Sequence, residues 1–415
     1  MIAYHRALAR LAVLAALSAA VYTTPAGAAD PAPGSRIEVK PADLPAPGAT
    51  PSRLNRSSPV TRRDDQMPRV PAGFTVSIFA DKLNHARWLD VGPNGEVFLA
   101  EPRSRHVLLL RDSDGDGKAD SRSVFAEGFD YPHGLALRDG ALYIGDRAGI
   151  WRVPYSAGLD KATTRPQRIS PEVAFGSTDG HATRNLAFSP DGSKIYVSIG
   201  SAGNIAEEPE PRATIQEFAA DGSRQRTFAT GLRNPVGIAF YPGSNDLLTV
   251  VNERDGMGDG LVPDYLTRVQ DGGFYGWPYS YIGSHPQPGF ADKRPDLVKR
   301  AIVPDTLFES HSAALGLAFY TGNSFPQKYR DGAFVGLHGS WNAGAPRGYT
   351  VAFVPFTNGK PASHYEVFMS GFWVEGTSTA RVIGRPVGTA VAKDGSLLVA
   401  DDVANVIWRV SYTGN

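Results

Sequence analysis

A short apolar run, usually headed by a small residue, recurs six times along this chain. The runs are Trp88-Leu89-Asp90-Val91, Gly134-Leu135-Ala136-Leu137, Asn185-Leu186-Ala187-Phe188, Gly237-Ile238-Ala239-Phe240, Gly316-Leu317-Ala318-Phe319 and Gly388-Thr389-Ala390-Val391. Their first residues are 46, 51, 52, 79 and 72 positions apart. A turn signal and a second apolar strand follow each run, as in Asp139-Gly140 before Leu142-Tyr143-Ile144 and Asp394-Gly395 before Leu397-Leu398-Val399-Ala400. Asn-Gly and Asp-Gly supply the positive φ angles of tight hairpins. Several units add a third strand, such as Gly149–Val153 and Val406–Val410. One such unit cannot bury both faces of its sheet, whereas six packed radially can. The pattern predicts an all-β chain, a six-bladed β-propeller over residues 69–415. The Gly and Ala of the repeated runs then face the crowded axis. The two long intervals, about Tyr241 to Ala314 and Tyr320 to Pro386, are read as long loops over one face of the channel.

The rest of the chain is divided by composition. Residues 1–28 read as a signal peptide: His5, Arg6 and Arg10 form a polar start, Leu11 to Val21 an apolar stretch, and Ala26-Gly27-Ala28 a small-x-small cleavage site. The apolar stretch is too short to suit a membrane span, so the mature chain is expected to be exported without one, into the periplasm if the source is Gram-negative. Residues 29–68 are rich in Pro and Ala and read as a linker or an N-terminal arm. The chain has no cysteine, which excludes disulfides and thiolate metal sites. Lys plus Arg (42) balances Asp plus Glu (42), so nothing in the charge points to nucleic acid.

In a propeller the residues just before each innermost strand lie at one mouth of the channel. Here they are Arg87, His133, His181, Arg184, Arg233, Asn234, His311 and Arg385. A histidine at such a mouth can take a proton from a hydroxyl near neutral pH. Arginine presents a planar fork to carboxylate or carbonyl oxygens, and asparagine offers both a donor and an acceptor. Each of these residues is equally at home as an ordinary structural contact; only their joint placement points to a site. Ser312 beside His311 lacks a Gly-x-Ser-x-Gly elbow, which argues against a nucleophilic serine.

Two acidic segments are candidate metal sites. Asp112-Ser113-Asp114-Gly115-Asp116-Gly117-Lys118-Ala119-Asp120 alternates carboxylates as Ca²⁺ ligation requires, but Ser123 stands where an EF-hand has its glutamate. Candidate ligands there are Asp112, Asp114, Asp116 and Asp120. The second, Asn252 to Gly260, is acidic and Gly-rich and includes Asp255 and Gly256.

Several motifs together resemble the soluble glucose/sorbosone dehydrogenase family, and most closely its L-sorbosone dehydrogenase-like branch. They are Gly231-Leu232-Arg233-Asn234-Pro235, Gly276-Trp277-Pro278, His181 ahead of Leu186-Ala187-Phe188, Asn252-Glu253-Arg254-Asp255-Gly256 and His338-Gly339-Ser340-Trp341-Asn342. The resemblance implies a six-bladed propeller that uses pyrroloquinoline quinone (PQQ) with Ca²⁺. It implies oxidation of an aldose or aldehyde, with hydride passing to the quinone and then to an unspecified electron acceptor. His181 would be the general base. Arg233 and Asn234 would contact the quinone oxygens, with Arg385 a further cofactor contact. The chain departs from the glucose enzymes at three places. Val387 replaces a second arginine, His338-Gly339 stands near a cofactor-binding lysine, and Asp255-Gly256 falls where a Gly-Pro pair offers its carbonyls to Ca²⁺. His338, Arg87 and Arg254 are the candidates to compensate. Two other classes remain open on the residues alone: a Ca²⁺-dependent lactonase-type propeller and a non-catalytic carbohydrate- or protein-binding propeller. The first needs carboxylates and an asparagine around one central metal, where this mouth favours His and Arg.

Overall fold

The structure is a computed structural model that describes residues 30–414. The signal-peptide expectation for 1–28 lies outside the described residues. Within them the chain is almost entirely β, with one α-helix, Pro295–Arg300, and four short 3-10 turns. No helix of the described residues is long and apolar enough to cross a membrane.

Six antiparallel sheets dominate, and each opens with one of the repeated apolar runs. The first holds Trp88–Val91, Val97–Glu101, His106–Arg111 and Ser121–Glu127. The second holds Gly134–Arg138, Ala141–Gly145, Ile150–Pro154 and Gln167–Arg168. The third runs from Leu186–Phe188 through Lys194–Ile199 and Thr214–Ala219 to Arg226–Thr230, with Gly273–Phe274 added in parallel. Asn234–Phe240, Leu247–Asn252, Pro263–Val269 and Thr306–Ser310 make the fourth. The fifth is built on Ala318–Phe319, Gly332–Leu337, Thr350–Thr357 and His364–Met369. Pro386–Val391, Leu397–Asp401 and Val406–Tyr412 form the sixth, whose fourth strand is Phe74–Ala80 from the other end of the body. That last pairing joins residues more than 300 positions apart; Phe74 packs edge-on across it against Tyr412 at 5.0 Å and, toward the fifth sheet, against Phe325 and Phe368 at 4.8 and 5.1 Å.

The first strands lie against one another in order, and that of the sixth sheet returns to that of the first. Glycine makes the approach possible. A β-carbon on Gly316 would sit 2.2 Å from the Val387 carbonyl oxygen, and one on Gly388 2.5 Å from that of Arg87. The obstacle in both cases is backbone of the neighbouring sheet, which cannot swing aside.

The segment read as a linker or arm is an arm laid along the body. Arg36–Glu38 extends the fifth sheet beside His364–Met369, and Ser58–Pro59 pairs with Arg381–Val382. Between them Gly48 donates to the Met257 carbonyl, Ser52 Oγ accepts from Gly258 N, and Asn55 N donates to the Trp341 carbonyl. A composition poor in large apolar residues did not predict this, because the arm is held by backbone hydrogen bonds and strand addition.

Gly316→Ala is expected to destabilise the protein by about 1–3 kcal/mol through overpacking at the ring. Urea unfolding checks it; an unchanged midpoint would contradict the packing argument.

Candidate active site

Because neighbouring strands run antiparallel, the start of each first strand and the end of each second strand lie at the same end of a sheet. One mouth of the ring therefore collects two sets of residues. The first is the set foreseen from the sequence. The second follows the second strands: Asp146, Ser201 to Asn204, Glu253 to Asp255, His338 to Asn342, and Asp402.

Asp402 organises one side. Arg87 Nη1 donates to its Oδ2 at 2.7 Å and His338 Nε2 to its Oδ1 at 2.8 Å, while His85 Nδ1 lies 3.6 Å away. Burial works to raise the Asp402 pKa, but these neighbours outweigh it and hold it well below the usual carboxylate range. Arg87 is the permanent charge among them. His338 is pushed down to about 4 by burial and by Arg385, so near pH 7 it is neutral and meets the carboxylate as an N–H donor. Arg385 donates from Nε to the His338 carbonyl at 2.8 Å and from Nη2 to the Gly339 carbonyl at 2.6 Å. Its fork thus holds the loop that carries His338. The buried Asp401 accepts Arg385 N at 2.9 Å and anchors the same corner.

His181 stands on the other side. Its Nδ1 lies 2.8 Å from the Ser201 carbonyl, an acceptor only, so Nδ1 carries the proton and Nε2 keeps its lone pair. Burial, then Arg233 and Arg212, push its pKa down to about 4, which makes it neutral near pH 7. Asn234 is its neighbour. A β-carbon on Gly200 would touch both Asn234 Oδ1, at 2.3 Å, and His181 Cβ, at 2.7 Å. Asn234 Oδ1 is buried with no hydrogen-bond partner in the protein.

Arg233 spans the loops behind them. It donates from Nη1 to the Glu253 carbonyl at 2.7 Å, from Nε to the Asn204 carbonyl at 3.1 Å, and from Nη2 to Asn204 Oδ1 at 3.1 Å. Its charge lies 3.7 Å from the Asp255 carboxylate. Asn342 also donates to that carboxylate, and His311 Nδ1 lies 3.5 Å from it. Trp277, in the long loop of the fourth interval, closes on the same Asn204 carbonyl at 3.1 Å. His133 is different: it is fully buried, bonded to Asn185 at 2.7 Å, and burial and then Arg87 depress it to about 3.

The metal candidates separate. The Asp255 carbonyl accepts from Arg254 Nε and Nη2 at 3.0 and 2.7 Å and from Asn204 Nδ2 at 2.8 Å. The Asp255 carbonyl thus already takes three donors, and two guanidinium groups, those of Arg254 and Arg233, lie beside the Asp255-Gly256 corner. Asp112, Asp114 and Asp116 do bring one oxygen each within 4.8 Å of one another. Asp120 is outside that group; its Oδ2 accepts Ser113 N at 2.6 Å. Strand alternation puts this loop, between the third and fourth strands of the first sheet, at the end of the ring away from His181.

The sequence missed Asp402, His85, Asn204 and Asn342 as members of the mouth. The signal that finds them is positional: each, or its loop, follows the end of a strand whose partner begins at the mouth.

The class defined here is an all-β ring of sheets whose mouth is lined by arginines, histidines and two ion-paired aspartates. The chain belongs to the family described as TrAA12-like, whose model matches residues 68–262 and 291–413. The Glucose / Sorbosone dehydrogenase model matches residues 213–340. An uncharacterized protein of Borreliella burgdorferi is 28% identical over 358 residues, covering 83% of this chain and 90% of that protein. A pyrroloquinoline quinone-dependent pyranose dehydrogenase of Coprinopsis cinerea is 26% identical over 335 residues, covering 69% of this chain but only 44% of that enzyme. The solved PQQ domain of a Coprinopsis cinerea pyranose dehydrogenase, in its holo form, superposes with a TM-score of 0.71 at 20% identity, covering 86% of this chain and 100% of that one. The apo aldose sugar dehydrogenase of Escherichia coli superposes at 0.57 and 17% identity, covering 82% and 99%. At those identities the structural likeness speaks for the fold.

Glu253 gives a pH prediction. Its carboxyl is buried, and burial pushes its pKa up to about 8 against the lowering pull of Arg233. A carboxyl raised in the folded state favours folding below its unfolded pKa of about 4.3, and that contribution is lost as pH rises toward 8. Stability should therefore fall between pH 5 and 9, and Glu253→Gln should flatten the fall. Urea midpoints across that range test it; parallel curves for the two proteins would contradict it.

Proposed function

We propose that this protein is an exported PQQ-dependent oxidoreductase of an aldose sugar or aldehyde, sorbosone-like compounds included. In this reading the six sheets are the blades of a six-bladed propeller. The observation that carries it is the pairing at one mouth of a neutral histidine, lone pair free at Nε2, with a concentration of arginines. Family membership and the pyranose dehydrogenase relative support the same reading.

The residues fit an anionic quinone. Arg87, Arg233, Arg254 and Arg385 supply positive charge around the mouth, and the unpartnered Asn234 Oδ1 sits beside His181. His338, Arg87 and Arg254 are the candidates to compensate for the missing lysine and second arginine. Bound PQQ supplies a two-electron hydride acceptor. His181 takes the substrate hydroxyl proton at Nε2 while the Ser201 carbonyl holds the ring by Nδ1. Asp402 keeps Arg87 and His338 in place, and Arg385 fixes the His338 loop. Arg233 sets a positive field beside the reacting hydroxyl, which favours the developing negative charge. A base held at about 4 is weak, and negative charge entering the mouth would raise it.

Ca²⁺ is assigned no role at the mouth. The Asp112, Asp114 and Asp116 loop remains a candidate for a structural Ca²⁺ that draws one hairpin together, with Asp120 bracing it through Ser113. Metal analysis of the purified protein and of an Asp114→Ala, Asp116→Ala double variant decides this: one Ca²⁺ per chain, lost in the variant, is expected. Equal metal content in both would contradict it. The lactonase-type alternative needs a carboxylate cage at the axis, where this mouth has ion-paired aspartates and arginines.

His181→Ala is expected to take up PQQ normally and to lose about 10²–10⁴-fold in turnover of aldoses. Steady-state rates with an artificial electron acceptor measure this. Unchanged turnover would remove His181 from the mechanism.

A further inference from the structure

Beside His181 lie two buried arginines that the proposed reaction does not use. Arg184 is fully buried. Its Nη1 donates to the His181 carbonyl at 2.6 Å and the Thr183 carbonyl at 2.9 Å, while Nε and Nη2 have no partner. Arg212 is 5% exposed. Its Nη2 donates to the Asp179 carbonyl, while Nε and Nη1 have no partner. Both guanidinium groups thus grip one five-residue segment, Asp179 to Thr183. Thr183 adds a buried hydroxyl that is also unpartnered.

No carboxylate among the described residues forms an ion pair with either arginine. Of the nearby acids, Asp179 is exposed to solvent, and Asp146 and Glu208 are committed elsewhere. Asp146 accepts Ala148 N, Gly149 N and Asp130 N at 2.8, 2.9 and 2.7 Å. Glu208 accepts Ala202 N and Gly203 N at 2.7 and 2.8 Å. Arg147 pairs with Asp130 at 2.6 Å. Burying an unpaired cation is costly, and leaving its N–H groups unsatisfied adds to the cost. Burial first, then Arg212, bring Arg184 down to about 9, which leaves it charged at neutral pH; burial also lowers Arg212.

We infer that Arg184, Arg212 and Thr183 form a binding site for one small monovalent anion of the halide class. Two guanidinium groups and a hydroxyl are the donor set such an ion takes, and complete enclosure of Arg184 excludes anything bulky. Arg212 also lines a cavity of about 530 Å³, whose wall includes Glu207, Glu208, Glu210, Thr214 and Trp277, so the Arg212 side of the site borders an open space. The site needs neither quinone nor sugar. Its consequence for catalysis rests on the reading of His181 as base: an anion there offsets the positive field of Arg212 that depresses His181.

Bromide is the probe, because it scatters anomalously. Crystals of the wild-type protein soaked in bromide should show an anomalous peak within hydrogen-bonding reach of Arg184 Nε and an Arg212 nitrogen. In solution the melting temperature should rise saturably with bromide, against an organic sulfonate at equal ionic strength. Loss of a charge-assisted donor in Arg212→Gln should weaken the bromide midpoint roughly 10–100-fold. Thr183→Val, a smaller change, covers the case in which Arg212→Gln does not fold, and should weaken it by a lesser factor. No peak at saturating bromide, or equal bromide dependence in wild type and variants, would overturn the inference. Because no readout involves sugar oxidation, failure here leaves the dehydrogenase reading standing, and the reverse holds too.

Discussion

Antiparallel alternation within each sheet is the constraint on which the mouth depends. It places the first residue of the innermost strand and the last residue of its partner side by side, six times over. Residues as distant as Arg87 and Asp402, or Arg233 and Asp255, therefore meet without any special device. The close approach of neighbouring sheets requires glycine where a side chain would strike the next backbone, as at Gly316 and Gly388. The same glycines that let the ring close bring the side chains flanking them to one opening.

Charge balance then decides what the opening can hold. Asp402 and Asp255 each neutralise part of an arginine and histidine set. Arg254 and Arg385 spend their forks on backbone carbonyls, which ties the loops together, and neither makes a direct ion pair with a carboxylate among the described residues. The mouth thus gathers four arginine side chains, Arg87, Arg233, Arg254 and Arg385, around the two ion-paired aspartates. Burial among like charges keeps His181 and His338 neutral, so one is an acceptor and the other a donor to Asp402.

Much of this was legible in the sequence. The six apolar runs each head a sheet, and the residues before them do gather at one end. What escaped reading was set by pairings distant in sequence. The fourth strand of the last sheet comes from Phe74–Ala80, and no local pattern near Val406 announces it. Asp402 looks like a turn residue in Asp401-Asp402 until the Arg87 and His338 pairings are known. The Asp255 carbonyl was a reasonable cation ligand by position, but the Arg254 side chain, one residue earlier, turns back onto it. The arm at 30–68 was readable as low in apolar content, though not as a strap, since backbone hydrogen bonds leave no compositional mark.

The central claim is that this mouth holds an anionic quinone. Isothermal titration of PQQ into the purified protein tests it most directly, run at low and high salt. The account predicts saturable one-to-one binding that weakens as salt rises, because arginine charge supplies the attraction. Absence of binding at low salt, or binding indifferent to salt, would contradict it.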